Sequence, residues 1–358
     1  MSSRLAMLGE LLPDDADGAL IISNENRRYF TDFVSSLGHL LVTRKESYLF
    51  VDSRYSEAAQ KQAKNCKVIP CKRLSDEMTE IIRQNQLKNI LLEGSAFTLN
   101  DCAWMEKIFE KAGANAVRTN ALDRLINQMR IIKTADEAEK MRRAQMITEK
   151  ALTETLQLVR EGVTEREIAL ELEFKMRKMG ADGVSFDLIV LAGAKTSMPH
   201  GVPGDNRVKN GDFLLFDIGA TVDGYHSDMT RTYAFGNVTA EQKRAYETVR
   251  KAQLYGLEAV TDGVSCDYVD NAARSYIYQA GYEGYFGHST GHGVGLAIHE
   301  EPSVSPNSDV ILHSGMVITV EPGIYLPGRF GVRIEDMVLV TRNGCMNLAS
   351  LSKELTIL

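Results

Sequence analysis

The sequence predicts an α/β domain followed by an α+β domain built from two related halves. Three observations carry this expectation: strand-like and helix-like segments alternate up to residue 127, glycine-marked helices recur beyond it at an offset of 101 residues, and buried-strand patterns ending in acids recur at an offset of 104. A chain of 358 residues is also longer than one hydrophobic core ordinarily serves. The expected domains are residues 1–127 and 128–358.

In the first domain, Ala19 to Ile22, Leu40 to Val42, Tyr48 to Val51, Val68-Ile69 and Asn89 to Leu92 read as short strands. Between and after them, Ser56 to Lys64, Asp76 to Asn85 and Asn100 to Ala112 have helical composition. Such alternation builds a sheet covered by helices. No cluster of donor side chains forms here. Asp52, Arg54 and Tyr55 end a strand and read as a surface turn, with substrate contact as the alternative. Leu122 to Thr134, carrying Arg130 and Lys133, reads as the join.

The second domain opens with two helices, Asp136 to Arg160 and Glu165 to Met179, followed by a strand at Asp187 to Leu191. A loop from Ala192 to Lys209 carries Met198-Pro199-His200-Gly201. The repeat then becomes visible: Gly162-Val163-Thr164, Gly180 and Gly183 match Gly263-Val264-Ser265, Gly281 and Gly284. Upstream, Ala144, Lys150 and Ala151 match Ala245, Lys251 and Ala252; downstream, Gly211, Asp217 and Gly219 match Gly315, Glu321 and Gly323. Two halves related by a pseudo-two-fold would bring their acids face to face at the centre.

Those acids carry the chemistry. Asp217 ends the apolar run Phe213 to Phe216, and Glu321 follows Met316 to Val320. Each is trailed by a second acid, Asp228 eleven residues on and Glu335 fourteen residues on, the spacing of a hairpin with an inward acid on each arm. A single buried acid usually reads as salt-bridged. Four carboxylates converging with the imidazole of His292 cannot stay ionised without counter-charge, because mutual repulsion and desolvation both oppose it. Two divalent cations would supply that charge, and oxygen donors with one nitrogen suit manganese, cobalt or zinc.

Six of the seven histidines lie between His200 and His313. His39, His226 and His313 read as structural, His288 is open, and the glycines flanking His292 permit close backbone approach. A net charge of −7 without basic runs argues against nucleic acid as the main partner. The five cysteines form no C-x-x-C pair, which indicates neither a disulfide framework nor a zinc ribbon. The start, Met1-Ser2-Ser3-Arg4, leads into no apolar signal region, and no run approaches the ~20 apolar residues of a membrane span. A cytoplasmic enzyme is expected.

The strings FDIGATVDGYHSDMTRT, HSTGHGVGLAIHEEP, ITVEPGIY and GVRIEDMVL resemble those of the pita-bread metallopeptidases: Xaa-Pro aminopeptidase, Xaa-Pro dipeptidase (prolidase) and methionine aminopeptidase. Arg28 to Phe33 and Val51 to Tyr55 are similar to the creatinase-type N-terminal domain of the proline-directed members, a domain that methionine aminopeptidases generally lack. The resemblance implies an α/β N-terminal domain followed by an α+β pita-bread (creatinase/aminopeptidase) domain with a pseudo-two-fold repeat. It also implies two metal ions per chain, manganese ahead of cobalt or zinc, with Asp217 on one, Asp228 and Glu335 bridging both, and His292 with Glu321 completing the second. Glu321 becomes the general acid-base. His200 and His299 become contacts to the scissile amide and carbonyl, with His288 and Arg333 as further substrate contacts. For Arg333, support of a bridging acid or a plain ion pair are alternatives, and Tyr225 is a supporting candidate behind the ligands. The substrate expected first is a small peptide with proline in second position, cleaved by an aminopeptidase. Prolidases often carry arginine just after the His-Glu-x-Pro string to pair with the dipeptide carboxylate, whereas this chain has Ser303 there. Arg329 could replace that arginine, so a dipeptidase is the alternative, and a broader aminopeptidase is a third. A homodimer is expected from the resemblance. An intact ligand set sets aside a creatinase-like amidinohydrolase or an inactive binding module.

Overall fold

The computed structural model describes residues 3–358. Backbone contacts divide the chain into a first unit ending at Arg130 and a second, Ile131–Leu358. The first unit is a six-stranded mixed sheet of order β4-β3-β2-β1-β5-β6, where β1 is Gly18–Ile21, β2 His39–Thr43, β3 Ser47–Val51, β4 Lys67–Pro70, β5 Asn89–Leu92 and β6 Asn115–Val117. On one face Leu20, Leu41, Phe50 and Ile90 pack with Met78 and Ile82 of helix α4 (Leu74–Gln84) and Met105, Ile108 and Phe109 of α5 (Leu99–Ala112).

Three helices here were not resolved by the sequence pattern. They are α1 (Arg4–Leu11), α2 (Asn24–Thr31) and α6 (Ala121–Ile131), the last occupying the segment read as a join. The first two are one to two turns of mixed composition, and α2 is held from outside its own segment. Buried Glu93 accepts from the backbone of Ile22 and Ser23 and from Asn26 Nδ2 at 2.5 to 2.9 Å. The remaining helix is α3 (Ser56–Gln62).

The second unit contains both halves of the repeat. The first half comprises α7 (Ala135–Leu156), α8 (Glu165–Lys178), β7 (Gly183–Val184), β8 (Ile189–Ala192), β9 (Phe213–Ile218), β10 (Ala220–Val222), β11 (Tyr225–His226) and β12 (Met229–Ala234). The second comprises α9 (Ala240–Ala259), α10 (Cys266–Ile277), β13 (Gly291–Gly293), β14 (Glu300–Val304), β15 (Val317–Val320), β16 (Gly323–Leu326), β17 (Phe330–Arg333), β18 (Asp336–Thr341) and β19 (Gly344–Asn347). Thr134 and Thr164 begin α7 and α8, and Thr239 begins α9, each by a capping box with the residue three positions on, satisfying helix-end N–H groups.

Matching hydrogen bonds express the duplication. Gly162 N donates to Val208 O as Gly263 N donates to Leu312 O, both at 2.9 Å; Glu165 N donates to Asn206 O at 3.1 Å as Cys266 N donates to Val310 O at 2.9 Å. The offset is 101 on the donor side (162 to 263) and 104 on the acceptor side (208 to 312), the same pair of offsets visible in the sequence.

Each acid pair stands at the end of an antiparallel stem, and the stem does not close as a simple hairpin. Asp217 on β9 faces Thr230 on β12, and Val320 on β15 faces Asp336 on β18. Between the arms the chain leaves the sheet: β10 pairs with β11 on one side and β7 on the other, while β16 and β17 form their own two-stranded ribbon. The eleven- and fourteen-residue spacings thus hold a second, separate hairpin each.

The C-terminal tail laces back across this unit. Ala234 N donates to Thr356 O at 3.0 Å and Leu358 N to Ala234 O at 2.8 Å, Ser350 N donates to Glu149 of α7 at 2.5 Å, and Lys353 Nζ lies 2.6 Å from Asp336. All five cysteines are free. Among the described residues, no helix is long and apolar enough to cross a membrane.

Candidate metal centre and active site

Alternation along the strands decides which side chains reach the centre. On β9, Leu214, Phe216 and Ile218 enter the core with α7 and α8, so Asp217 projects to the opposite face. On β15, Ile318 and Val320 are core, leaving Thr319 and then Glu321 on the other side. Asp228 and Thr230 share a face of β12 by the same two-residue period, while Met229 and Tyr233 turn to the core.

The two stems meet where β12 runs beside residues 333–336. Glu335 N donates to Thr230 O at 3.1 Å, Thr230 Oγ1 to Glu335 Oε2 at 2.7 Å, and Thr232 Oγ1 to Arg333 O at 2.9 Å. Asp228, His292 and Glu335 each offer a ligand atom within 4.8 Å of the others. His292 Nε2 is 3.4 Å from Glu321 Oε1 and 3.6 Å from Asp228 Oδ2. Asp217 is held by Arg333 Nη2 at 2.5 Å through Oδ2, while its buried Oδ1 has no hydrogen-bond partner.

This set fits a divalent cation. His292 Nδ1 lies 3.0 Å from the Gly293 carbonyl, which can only accept, so Nδ1 carries the proton and Nε2 presents its lone pair to the carboxylates. Burial lowers the His292 pKa to about 4, so the ring stays neutral and cannot relieve the repulsion. A lone pair facing anionic oxygens, beside an orphaned buried carboxylate oxygen, is unfavourable until a cation sits between them.

The acids show the same strain. Burial, reinforced by Asp217 and Glu321, raises Asp228 well above the usual carboxylate range; burial, with Asp228 as the largest charged neighbour, does the same to Glu335. Burial raises Glu321 to about 8, with Arg333 opposing the rise.

The flanking glycines of His292 have a specific cause. A Cβ at Gly291 would lie 1.9 Å from the Thr319 carbonyl oxygen, and one at Gly293 would lie 2.1 Å from that of Glu301. They let β13 lie flush between β14 and β15, which fixes where the imidazole emerges.

A cavity of about 460 Å³ is lined by Asp217, Asp228, His292, Glu321 and Glu335 together with His200, His288, His299 and Arg333. All nine residues expected as ligands or substrate contacts therefore border one space. Phe186, Leu188, Ile189, Val202 and Ile298 give it an apolar side. His299 meets the His292 ring edge-on at 4.4 Å between centroids.

His288, left open by the sequence, lies in a relay. Its Nδ1 is 2.7 Å from the Ser289 carbonyl, so Nε2 accepts from the Tyr325 hydroxyl at 2.9 Å, and that hydroxyl accepts from Arg333 Nη1 at 2.8 Å. Burial pushes Tyr325 up to about 12 and His288 down to about 4, which keeps both neutral.

Tyr225, the supporting candidate, donates its hydroxyl to Glu137 of α7 at 2.6 Å from the tip hairpin that leaves the stem. Arg329 lies outside the cavity lining, half exposed and paired with Glu241. In the first unit, Asp52 and Arg54 pair with each other at 2.6 Å as a turn would.

The residues missed were Thr230, Thr319 and Tyr325. Thr230 and Thr319 carry a readable signal, since each lies two residues from an acid on one strand. Tyr325 has none, because β16 folds it back over the site.

A family model described as metallopeptidase family M24 matches residues 139–342, and one described as creatinase/prolidase N-terminal domain matches residues 6–132. The chain belongs to metallopeptidase family M24. This M24 enzyme is 36% identical over 357 residues to a Xaa-Pro dipeptidase of Pyrococcus furiosus, covering 99% of this chain and 100% of that protein. Among solved structures it resembles a Xaa-Pro dipeptidase from Bacillus anthracis, with TM-score 0.95, 37% identity and 99% of each chain covered. It also resembles an X-Pro aminopeptidase from Thermotoga maritima, with TM-score 0.89, 35% identity, and 96% of this chain and 98% of that one covered. It is a metallo-exopeptidase whose pita-bread catalytic domain follows a creatinase-type N-terminal domain.

Proposed function

We propose that this M24 peptidase is a Xaa-Pro dipeptidase using two divalent cations, manganese in the cell, and working as a cytoplasmic homodimer. The observation that carries the reading is likeness over essentially the whole length of both chains to proteins named Xaa-Pro dipeptidase. It reverses the order expected from Ser303, which put the aminopeptidase first.

Asp217, Asp228, His292, Glu321 and Glu335 would hold the metal, which when bound supplies Lewis-acid polarisation of the scissile carbonyl and acidifies a water nucleophile. The side chains do the rest. Glu321 takes the proton of the attacking water and delivers it to the departing proline nitrogen, the task of a positioned carboxylate. That nitrogen belongs to an imide without an N–H, so it leaves only after gaining this proton. His200 and His299 border the cavity and contact the scissile amide and its carbonyl, stabilising the tetrahedral intermediate. Arg333 holds Asp217 and, through Tyr325, fixes His288 against the substrate.

One observation favours the aminopeptidase as a second reading. Arg333 is the single Lys or Arg along the described cavity lining, and it is engaged by Asp217 and Tyr325, leaving no second cation there for a dipeptide carboxylate. Incubation of manganese-loaded protein with Ala-Pro, Ala-Pro-Ala and Ala-Ala-Ala decides the matter. Cleavage of the first alone is the expected result; cleavage of the first two establishes the aminopeptidase, and of all three a generalist.

A further inference from the structure

The loop that brings His200 to the cavity is tied at its base by one carboxylate that no step of the reaction uses. Glu165, the first residue of α8, is 1% exposed. Its Oε1 accepts from Ala192 N and Asn206 Nδ2, both at 2.9 Å; its Oε2 accepts from Lys195 Nζ at 2.6 Å and Gly204 N at 3.0 Å. Lys195 Nζ also donates to Val202 O at 2.6 Å, and Asn206 Nδ2 to Ala192 O at 3.0 Å. Both ends of the 192–206 segment therefore converge on a single side chain. The tip is left open to solvent, with Met198 and Val202 57% and 75% exposed.

The repeat shows that the backbone does not need this carboxylate. Cys266 stands at the matching position and makes the same ladder bond, to Val310 O at 2.9 Å, with no acid present. Both halves bring a histidine to the cavity, but His299 directly precedes β14, which is paired with β13, whereas among the described residues no strand pairing holds the segment around His200 and the Glu165 tie stands in its place. The tie also bears on the opposite ribbon: Gly331 N, within the strand β17 that ends in Arg333, donates to Thr196 Oγ1 at 2.7 Å.

We propose that Glu165 is a positioning residue for peptide hydrolysis, setting the placement of His200 by gathering both ends of its loop. The inference rests on the reading that His200 contacts the scissile peptide. A charged, fully bonded carboxylate makes shorter and stronger hydrogen bonds than a neutral side chain, and an error of ~1 Å in a catalytic group can cost about a hundredfold in rate.

The test is a double-mutant cycle on the manganese-loaded enzyme with Ala-Pro, recording kcat, KM, metal content and Tm for each variant. Glu165→Gln is expected to lower kcat roughly tenfold with metal content unchanged, a fraction of the ~hundredfold loss expected for His200→Ala. In the His200→Ala background the same Glu165→Gln change is expected to cost less than about twofold. An equal cost in both backgrounds makes Glu165 scaffold alone and overturns the proposal. A neutral His200→Ala instead overturns the role given to His200, and this inference with it. Lys195→Met runs the same cycle from the partly exposed side of the tie, so misfolding of the Glu165 variant leaves the question answerable.

Discussion

Thr230 Oγ1 donates to Glu335 Oε2 at 2.7 Å and, on its other side, accepts from Nε of Arg333 at 3.0 Å. One hydroxyl thus couples a proposed bridging acid to the arginine that also grips Asp217. Groups of this kind orient ligands, and their loss typically costs 10–100-fold in metal affinity. Thr230→Val keeps the shape and removes the hydrogen bonds. Manganese affinity measured by calorimetry should fall by about that factor, and unchanged affinity would rule out an orienting role.

Glu335→Ala removes the acid shared between the two stems. Elemental analysis should find at most one metal per chain and peptide turnover should be lost. Two metals with full turnover would refute the ligand assignment.

Without metal, the cluster should set a pH dependence that its partners reverse. Glu321 has its folded pKa raised from 4.5 to about 8. Its contribution to stability is therefore fully present below pH 4.5 and lost as pH rises through about 8. His288 and His292, lowered from 6.5 to about 4, act oppositely: their contribution is present above pH 6.5 and lost as pH falls towards 4. In chelator, Glu321→Gln should melt higher than the parent at pH 8, with the gap closing towards pH 4.5. A gap independent of pH would show that Glu321 is not strained in the metal-free protein.

Tyr325→Phe strands His288 Nε2, at a cost of about 1–3 kcal/mol for a lost buried partner, and leaves Arg333 Nη1 only its 3.5 Å bond to the Pro199 carbonyl. A lower Tm together with a fall in kcat is expected. A fall in Tm alone would confine the relay to stability.

Ser303 faces His292 across the β13/β14 pair and its side chain is exposed. Ser303→Arg should bring a cation to the rim of the site, pair with the dipeptide carboxylate and lower KM for Ala-Pro about tenfold. An unchanged KM would remove this position from recognition of the carboxylate.

The strands and the acids that end them were legible because burial on one face leaves a two-residue signature, as Phe213 to Asp217 and Met316 to Glu321 show. The duplication was legible because its turns need the same glycines in both halves. What stayed hidden depends on contacts distant in sequence. Helix α2 is held by Glu93, about seventy residues away, and nothing local announces it. Tyr225 and Tyr325 look alike as tyrosines on tip hairpins, yet one bonds Glu137 and the other closes over the site; only the direction in which each tip folds separates them. Glu165 and Cys266 occupy matching places, so their difference acquires meaning only when the four donors around Glu165 are seen.

The tail that returns over β12 has a practical consequence. Leu351 O accepts from buried Arg231 at 2.9 Å, and Arg231 also donates to Glu335 O at 2.6 Å and Asp336 Oδ1 at 2.7 Å. The last residues are thereby mechanically linked to the backbone of a proposed metal ligand. Trimming them, or forcing a bulky fusion against them, would loosen the anchorage of the reaction centre from behind, without touching any group that meets the peptide.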